Sequence, residues 1–304
     1  MSQNMHQRQL LTELNILRFS VLLELFFGIT GVLVALYSGS QAVLLDGSYS
    51  LICTLTMMAN VRVSQLVKQP PSIENPYGHP TLEPMMLILE GLILLGLCIT
   101  LMAASTYKLF TGGYTPEFDL ALGYEIFSTI IGGAAATAFF LLNRSRPSPL
   151  IYFEFQEWLV DTAVSAAAAA AFSIAYLLGS DHPVTPYIDS SLTLSLVLIL
   201  TLLPLKTVLK NIKQLLLQDS ASPKLIEKVI DAISKQNGII PRQNIHISMI
   251  WLGRWLWVNI DIEVYNNTHL DREELKSISN ITESIVSSVC KFYRLKLSFN
   301  FPEK

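Results

Sequence analysis

The chain has 304 residues, 51% of them hydrophobic and 15% charged, with a net charge of −3. The charged share falls well below the usual quarter and the apolar share lies at the top of the soluble range, which points to a membrane protein. No basic patch is dense enough for a nucleic-acid partner. Three cysteines, Cys53, Cys98 and Cys290, lie far apart without a CxxC pair, so free thiols are expected and no disulfide framework is implied.

A membrane-spanning helix needs about 20 mostly apolar residues. Six stretches meet that length, roughly 16–37, 40–62, 85–106, 119–142, 154–178 and 190–209. The first is too long for a signal peptide, carries Glu24 and lacks a small-residue cleavage site, so it is expected to be a retained span. The connection Ser38–Gln41 is short, which predicts a tight hairpin of spans one and two. A Pro-rich loop runs from Val67 to Pro84. The fourth and fifth spans carry "GGAAATA" from Gly132 and "AVSAAAAAAFS" from Ala163, small side chains that let helices approach closely in lipid.

Basic residues set the expected orientation. Arg8 and Arg18 precede the first span, Arg62 and Lys68 follow the second, Arg144 and Arg146 separate the fourth from the fifth, and Lys206, Lys210 and Lys213 close the sixth. The other side offers Lys108. Both termini and the 67–84 loop are therefore expected in the cytoplasm. After Leu217 the composition becomes that of a soluble protein, which predicts a membrane domain over 1–213 and a cytoplasmic domain over 214–304.

The tail reads α-β-β-α-β. "SPKLIEKVIDAISKQNG" has a Ser-Pro start, helical apolar spacing and a Gly stop. "NIHISMIW" places Ile245, Ile247, Met249 and Trp251 on one face. After a Gly253-Arg254 turn, Leu256, Val258, Ile260, Ile262 and Val264 alternate likewise. Asp271 is expected to cap a helix through about Phe292, and Leu295, Leu297, Phe299 and Phe301 alternate in a last strand. The order predicts a three-stranded sheet with two helices on one face. Domains of this size are often marginal alone, which suits pairing with a second copy. Trp255 and Trp257 fall on the opposite face, as dimer contacts, surface aromatics or lipid-interface anchors.

The chemistry lies in charges within the spans, each costing roughly 2.5–3.5 kcal/mol near the bilayer centre. Asp46, Ser50 and Cys53 are spaced i, i+4, i+7 on the second span, and Glu154, Glu157 and Asp161 are spaced i, i+3, i+7 on the fifth. Bringing Asp46, Glu157 and Asp161 together around a cation, with Ser50 adding an oxygen, offsets the cost of all three carboxylates. Glu154, near the end of its span, is read as structural. Glu24, Glu90 and Glu125 stand singly, without i+4 acidic partners, and are read as structural or proton-related. There is no HExxH, no GxSxG and no histidine on any span to serve as a base, so an enzyme is not expected.

With "LLDGSYS" in the second span, "NPYGHPTLEP" before the third and "EWLVD" in the fifth, the chain resembles the cation diffusion facilitator family of divalent metal/proton antiporters. The resemblance covers nearly its whole length. It implies a membrane α-helical fold of six transmembrane helices plus a small cytoplasmic α+β ferredoxin-like domain, working as a homodimer. The family's ligand pairs on spans two and five carry over to Asp46, Ser50, Glu157 and Asp161. Ser50 stands where a second Asp is expected, and Glu157 where a His or Asp is expected. The resemblance also marks His79 in the loop, where Asn75 replaces a further His. In the tail it marks His246 and Asp261, while Ser298 and Asn300 replace a His and an Asp.

The resemblance implies proton-coupled efflux of a divalent metal cation from the cytoplasm by alternating access, across a bacterial inner membrane. The partners are the metal ion, protons and the lipid bilayer, and no cofactor is expected. The oxygen-rich ligand set suits hard ions and family membership favours Zn, leaving Mn, Fe, Co and Zn as candidates. The alternative is a non-transporting structural or regulatory relative, which the loss of the second Asp and of tail ligands would suit.

Overall fold

A computed structural model describes the chain except residues 1, 68, 70–71, 74, 146–148, 219, 238–239, 264–271, 291 and 301–304. Seven helices come first: α1 (Ser2–Ser38), α2 (Gln41–Val67), α3 (Leu82–Phe110), α4 (Phe118–Ser145), α5 (Pro149–Leu178), α6 (Thr185–Leu200) and α7 (Leu202–Leu215). Among the described residues, six stretches are helical, long and apolar enough to cross a membrane, the last running from Thr185 to Leu215 across α6 and α7. The interruption at Thr201 follows from Pro204. Proline offers no N–H to the carbonyl four residues back, and its ring crowds that carbonyl. Two compact units result, 1–59 with 90–205 and 60–89 with 206–304.

In the first unit the outward side chains are apolar, with Phe19, Leu22, Phe26, Leu33 and Leu36 exposed along α1, as a lipid-facing surface requires. Inside, one apolar cluster joins Phe27, Val43, Phe139, Trp158 and Phe172, and another joins Leu45, Cys98, Leu101 and Val197. The α1–α2 hairpin turns through Gly39 at φ 73°, a left-handed conformation that glycine adopts without strain. Buried Asp189 on α6 then caps α2. It accepts hydrogen bonds from Ser40 Oγ at 2.6 Å, from the Gln41 N–H at 3.0 Å and from the Ala42 N–H at 3.2 Å. A carboxylate there satisfies the free N–H groups of the helix start and complements its dipole. Ser105 on α3 donates to Gln41 Oε1 at 2.8 Å, tying a third helix to the same end.

In the second unit α8 (Pro223–Asn237), β1 (Ile245–Leu252), β2 (Trp255–Glu263), α9 (Arg272–Val289) and β3 (Tyr293–Asn300) follow in the expected order. The sheet runs β1-β2-β3, with β1 antiparallel and β3 parallel to β2. Alternation does what its period predicts: Leu256, Val258, Ile260 and Ile262 are fully buried. Val229 and Ile233 of α8 and Ile278 and Val286 of α9 join them in one core. Pro223 opens α8, and the Leu225 N–H bonds to Ser222 Oγ at 3.4 Å. The expected Gly238 stop, the Asp271 cap and the ends of the alternating strands at Val264 and Phe301 lie outside the described residues. The helix α9 ends at Val289, three residues short of Phe292.

Two contacts within this unit involve the first turn of α3 and the loop before it. Arg254 holds Glu83 through Nε and NH2, the shorter bond being 2.9 Å, and its backbone N–H adds another at 2.9 Å. The turn that presents Arg254 passes through Gly253 at φ 59°, where a Cβ would lie 2.6 Å from Glu83 Oε2. Tyr77 stacks on Trp257 with ring centroids 5.8 Å apart, and the Arg294 guanidinium lies 5.0 Å from the Tyr77 ring. One face of Trp257 is thus covered within the unit.

Candidate metal site

The site is built on close backbone packing. Gly47, directly after Asp46, meets α1 so tightly that a Cβ there would lie 2.6 Å from the Val32 nitrogen and 2.7 Å from the Gly31 carbonyl carbon. Gly28 on α1 meets Leu51 of α2 in the same way, at 2.9 Å. On the other side Gly132 of α4 would place a Cβ 2.8 Å from Thr162 Oγ1 of α5. Small residues therefore draw α1 against α2 and α4 against α5, as they do where lipid supplies no apolar driving force between helices.

Between these pairs lies a small cavity with room for a water-sized sphere. Asp46 and Ser50 of α2, Asp161 and Ser165 of α5, Ser128 of α4 and Glu24 of α1 all line it. Ser128 and Ser165 share a hydrogen bond of 3.1 Å. The Ser50 hydroxyl donates to the Asp46 backbone carbonyl at 3.1 Å, which leaves its lone pairs free to accept or to ligate. The structure thus brings Asp46, Ser50 and Asp161 together.

Glu157 does not line this cavity. Its carboxylate gathers with those of Glu24 and Glu154, with ligand atoms all within 4.8 Å of one another. Among the described residues this is the one group of three or more His, Cys, Asp or Glu side chains close enough to hold an ion. Glu154 is almost fully buried and accepts from Ser20 Oγ at 2.5 Å, and Ser20 accepts from Trp158 Nε1 at 2.7 Å. That chain locks α1 to α5. The acidic groups therefore occupy two adjoining levels, and Glu24 belongs to both.

Spacing along the sequence undervalues Glu24. Its partners sit on another helix, so a search for acidic residues four apart passes over it. Ser20 at i−4 and Gly28 at i+4 put it on a narrow polar and small stripe of α1, and that spacing is the available signal. Cys53 does not line the cavity, and Tyr49 packs against the Leu45–Cys98 cluster.

The remaining candidates lie in the second unit. His79 is half-buried and belongs to no group of three ligands among the described residues. His246 and Asp261 stand directly opposite each other on the β1–β2 ladder, and His246 Nε2 lies 3.7 Å from Glu263 Oε1. They too form no three-ligand group among the described residues.

Six helices long and apolar enough to cross a membrane, a carboxylate-lined cavity among them and a small α+β domain define a polytopic membrane protein. The chain belongs to the cation efflux family: its residues 17–216 match the family's transmembrane domain. It is similar to magnetosome protein MamM of Paramagnetospirillum magneticum, 24% identical over 264 residues, covering 84% of this chain and 77% of that protein. The MamM of Magnetospirillum gryphiswaldense is 22% identical over 269 residues, with the same coverage. Membership of this family makes the chain a multi-pass membrane protein for metal cation transport.

Proposed function

We propose that the chain exports a divalent cation from the cytoplasm in exchange for protons, by alternating access, with Asp46, Ser50, Glu157 and Asp161 as the transport site. The observation that carries this reading is the cavity in which carboxylates from α2 and α5 meet a hydroxyl and a third carboxylate from α1. Such groups in a membrane domain are costly unless they bind something.

The cation first meets Glu24, Glu154 and Glu157, then passes to Asp46 and Asp161, with Ser50 or water completing the shell. Glu24 faces both levels and makes the handover continuous. Only deprotonated carboxylates bind metal, so protons arriving from the far side compete for the same oxygens and release the ion. The carboxylates act alternately as ligands and proton carriers. The all-oxygen set, without imidazole, favours Mn and related hard ions over Zn. Basic residues at Arg8, Arg18, Arg62, Arg144 and Lys210 support cytoplasmic termini. A membrane domain over 1–213, a cytoplasmic domain over 214–304 and a homodimer complete the proposal.

The test is metal flux by the Asp161→Ala variant in reconstituted vesicles. Transport should be lost while the purified protein keeps its helix content. Full activity in that variant would sink the assignment.

A further inference from the structure

Among the described residues, the transport reading and the α2 cap leave one buried acid unused. Glu125 on α4 is fully buried, and neither carboxylate oxygen has a hydrogen-bond partner among the described residues. Buried polar groups are nearly always satisfied, so an orphaned carboxylate calls for an explanation, and a bound ion is one that supplies partners for both oxygens. Its place is informative. Glu125, Ser128 and Gly132 follow i, i+3, i+7 on one stripe of α4, and the latter two line the transport cavity. Glu125 stands one turn beyond Ser128, which shares the cavity lining with Asp46 and Ser165. Ser165 itself is engaged with Ser128 at 3.1 Å and falls short of a hydrogen bond to Glu125.

We infer that Glu125 is a further cation ligand, supplying from α4 the carboxylate that Ser50 does not provide from α2. This rests on the proposed transport site. It extends the ligand set to α4. A cation held this way would link α4, as well as α2 and α5, to occupancy of the site. A further carboxylate also sharpens the preference for a hard divalent ion over one that seeks nitrogen or sulfur.

The experiment is Mn2+ binding to the purified full chain, read from the free-ion paramagnetic resonance signal, for wild type, Asp161→Ala, Glu125→Gln, Glu125→Asp, Ser50→Asp and the double variant Glu125→Gln/Ser50→Asp. Glu125→Gln should weaken binding by about 10-fold or more, in the range seen when groups supporting a metal are lost. Glu125→Asp should fall between it and wild type. Restoring a carboxylate at position 50 should raise affinity more in the Glu125→Gln background than Ser50→Asp alone raises it in wild type, a non-additivity that a merely structural role for Glu125 would not produce. Should Glu125→Gln fail to fold, Glu125→Asp decides the matter: a carboxylate withdrawn by one methylene should weaken Mn2+ binding, and wild-type affinity there overturns the inference. Wild-type binding in Glu125→Gln alongside lost binding in Asp161→Ala overturns this inference and leaves the transport site standing. Wild-type binding in Asp161→Ala overturns both.

Discussion

Replacing Gly47 by alanine tests how Asp46 is positioned. The added methyl would lie 2.6 Å from the Val32 nitrogen and within 2.9 Å of two Gly31 atoms. All three are backbone atoms, so no rotamer change can relieve the clash. Reaching an ordinary contact of 3.4 Å requires α1 and α2 to separate by roughly 0.8 Å. Overpacking of this kind costs about 1–3 kcal/mol. Alanine returns up to about 1 kcal/mol through its better helix propensity, so the net effect is destabilising. Gly96 on α3 supplies the control: a Cβ there meets nothing within 4 Å, and Gly96→Ala should be neutral or stabilising. Metal ligation tolerates only about 0.2 Å of misplacement, so Gly47→Ala should also weaken Mn2+ binding, by on the order of 10-fold. Thermal unfolding in detergent and Mn2+ titration read both effects. If Gly47→Ala unfolds at or above the wild-type temperature and binds Mn2+ normally, the close α1–α2 contact is not what sets Asp46.

Three further outcomes are tied to particular contacts. Asp189→Ala removes the acceptor for Ser40 Oγ and two α2 N–H groups and should cost about 3 kcal/mol or more, seen as a lower unfolding temperature; an unchanged value refutes the capping role. In a double-mutant cycle on the full chain, Glu83→Ala and Arg254→Ala should show about 1–3 kcal/mol of coupling, because the pair is bidentate and about three-quarters buried. Purely additive losses would contradict it. Glu157→His should move transport preference toward Zn, since imidazole suits that ion better than carboxylate does. An unchanged profile across Mn, Fe, Co and Zn would remove Glu157 from the ligand set.

The parts of the molecule legible in its sequence are those encoded by local periodicity. Long apolar runs mark the spans, and strict alternation marks the tail strands with Leu256, Val258, Ile260 and Ile262 inside. The break at Thr201 is also encoded, in Pro204, but the apolar run around it conceals the interruption. Features that depend on distant helices are not legible. Asp189 meets its donors nearly 150 positions away, which no spacing rule anticipates. Glu24 looks solitary along its own helix, yet it meets acidic groups carried by α5. In the sequence Gly47 is one small residue in an apolar span. In the folded chain the α1 backbone lies directly against it, and its value is close approach.

The most direct test of the transport mechanism is metal movement in vesicles reconstituted with the full chain, measured for Mn, Fe(II), Co and Zn with and without an imposed pH gradient. Flux of at least one ion is expected, accelerated when the side releasing metal is the more acidic, since protons there displace the cation from the carboxylates. Asp46→Ala should abolish this flux. No flux of any of the four ions under either condition would contradict the mechanism and favour a non-transporting member of the family.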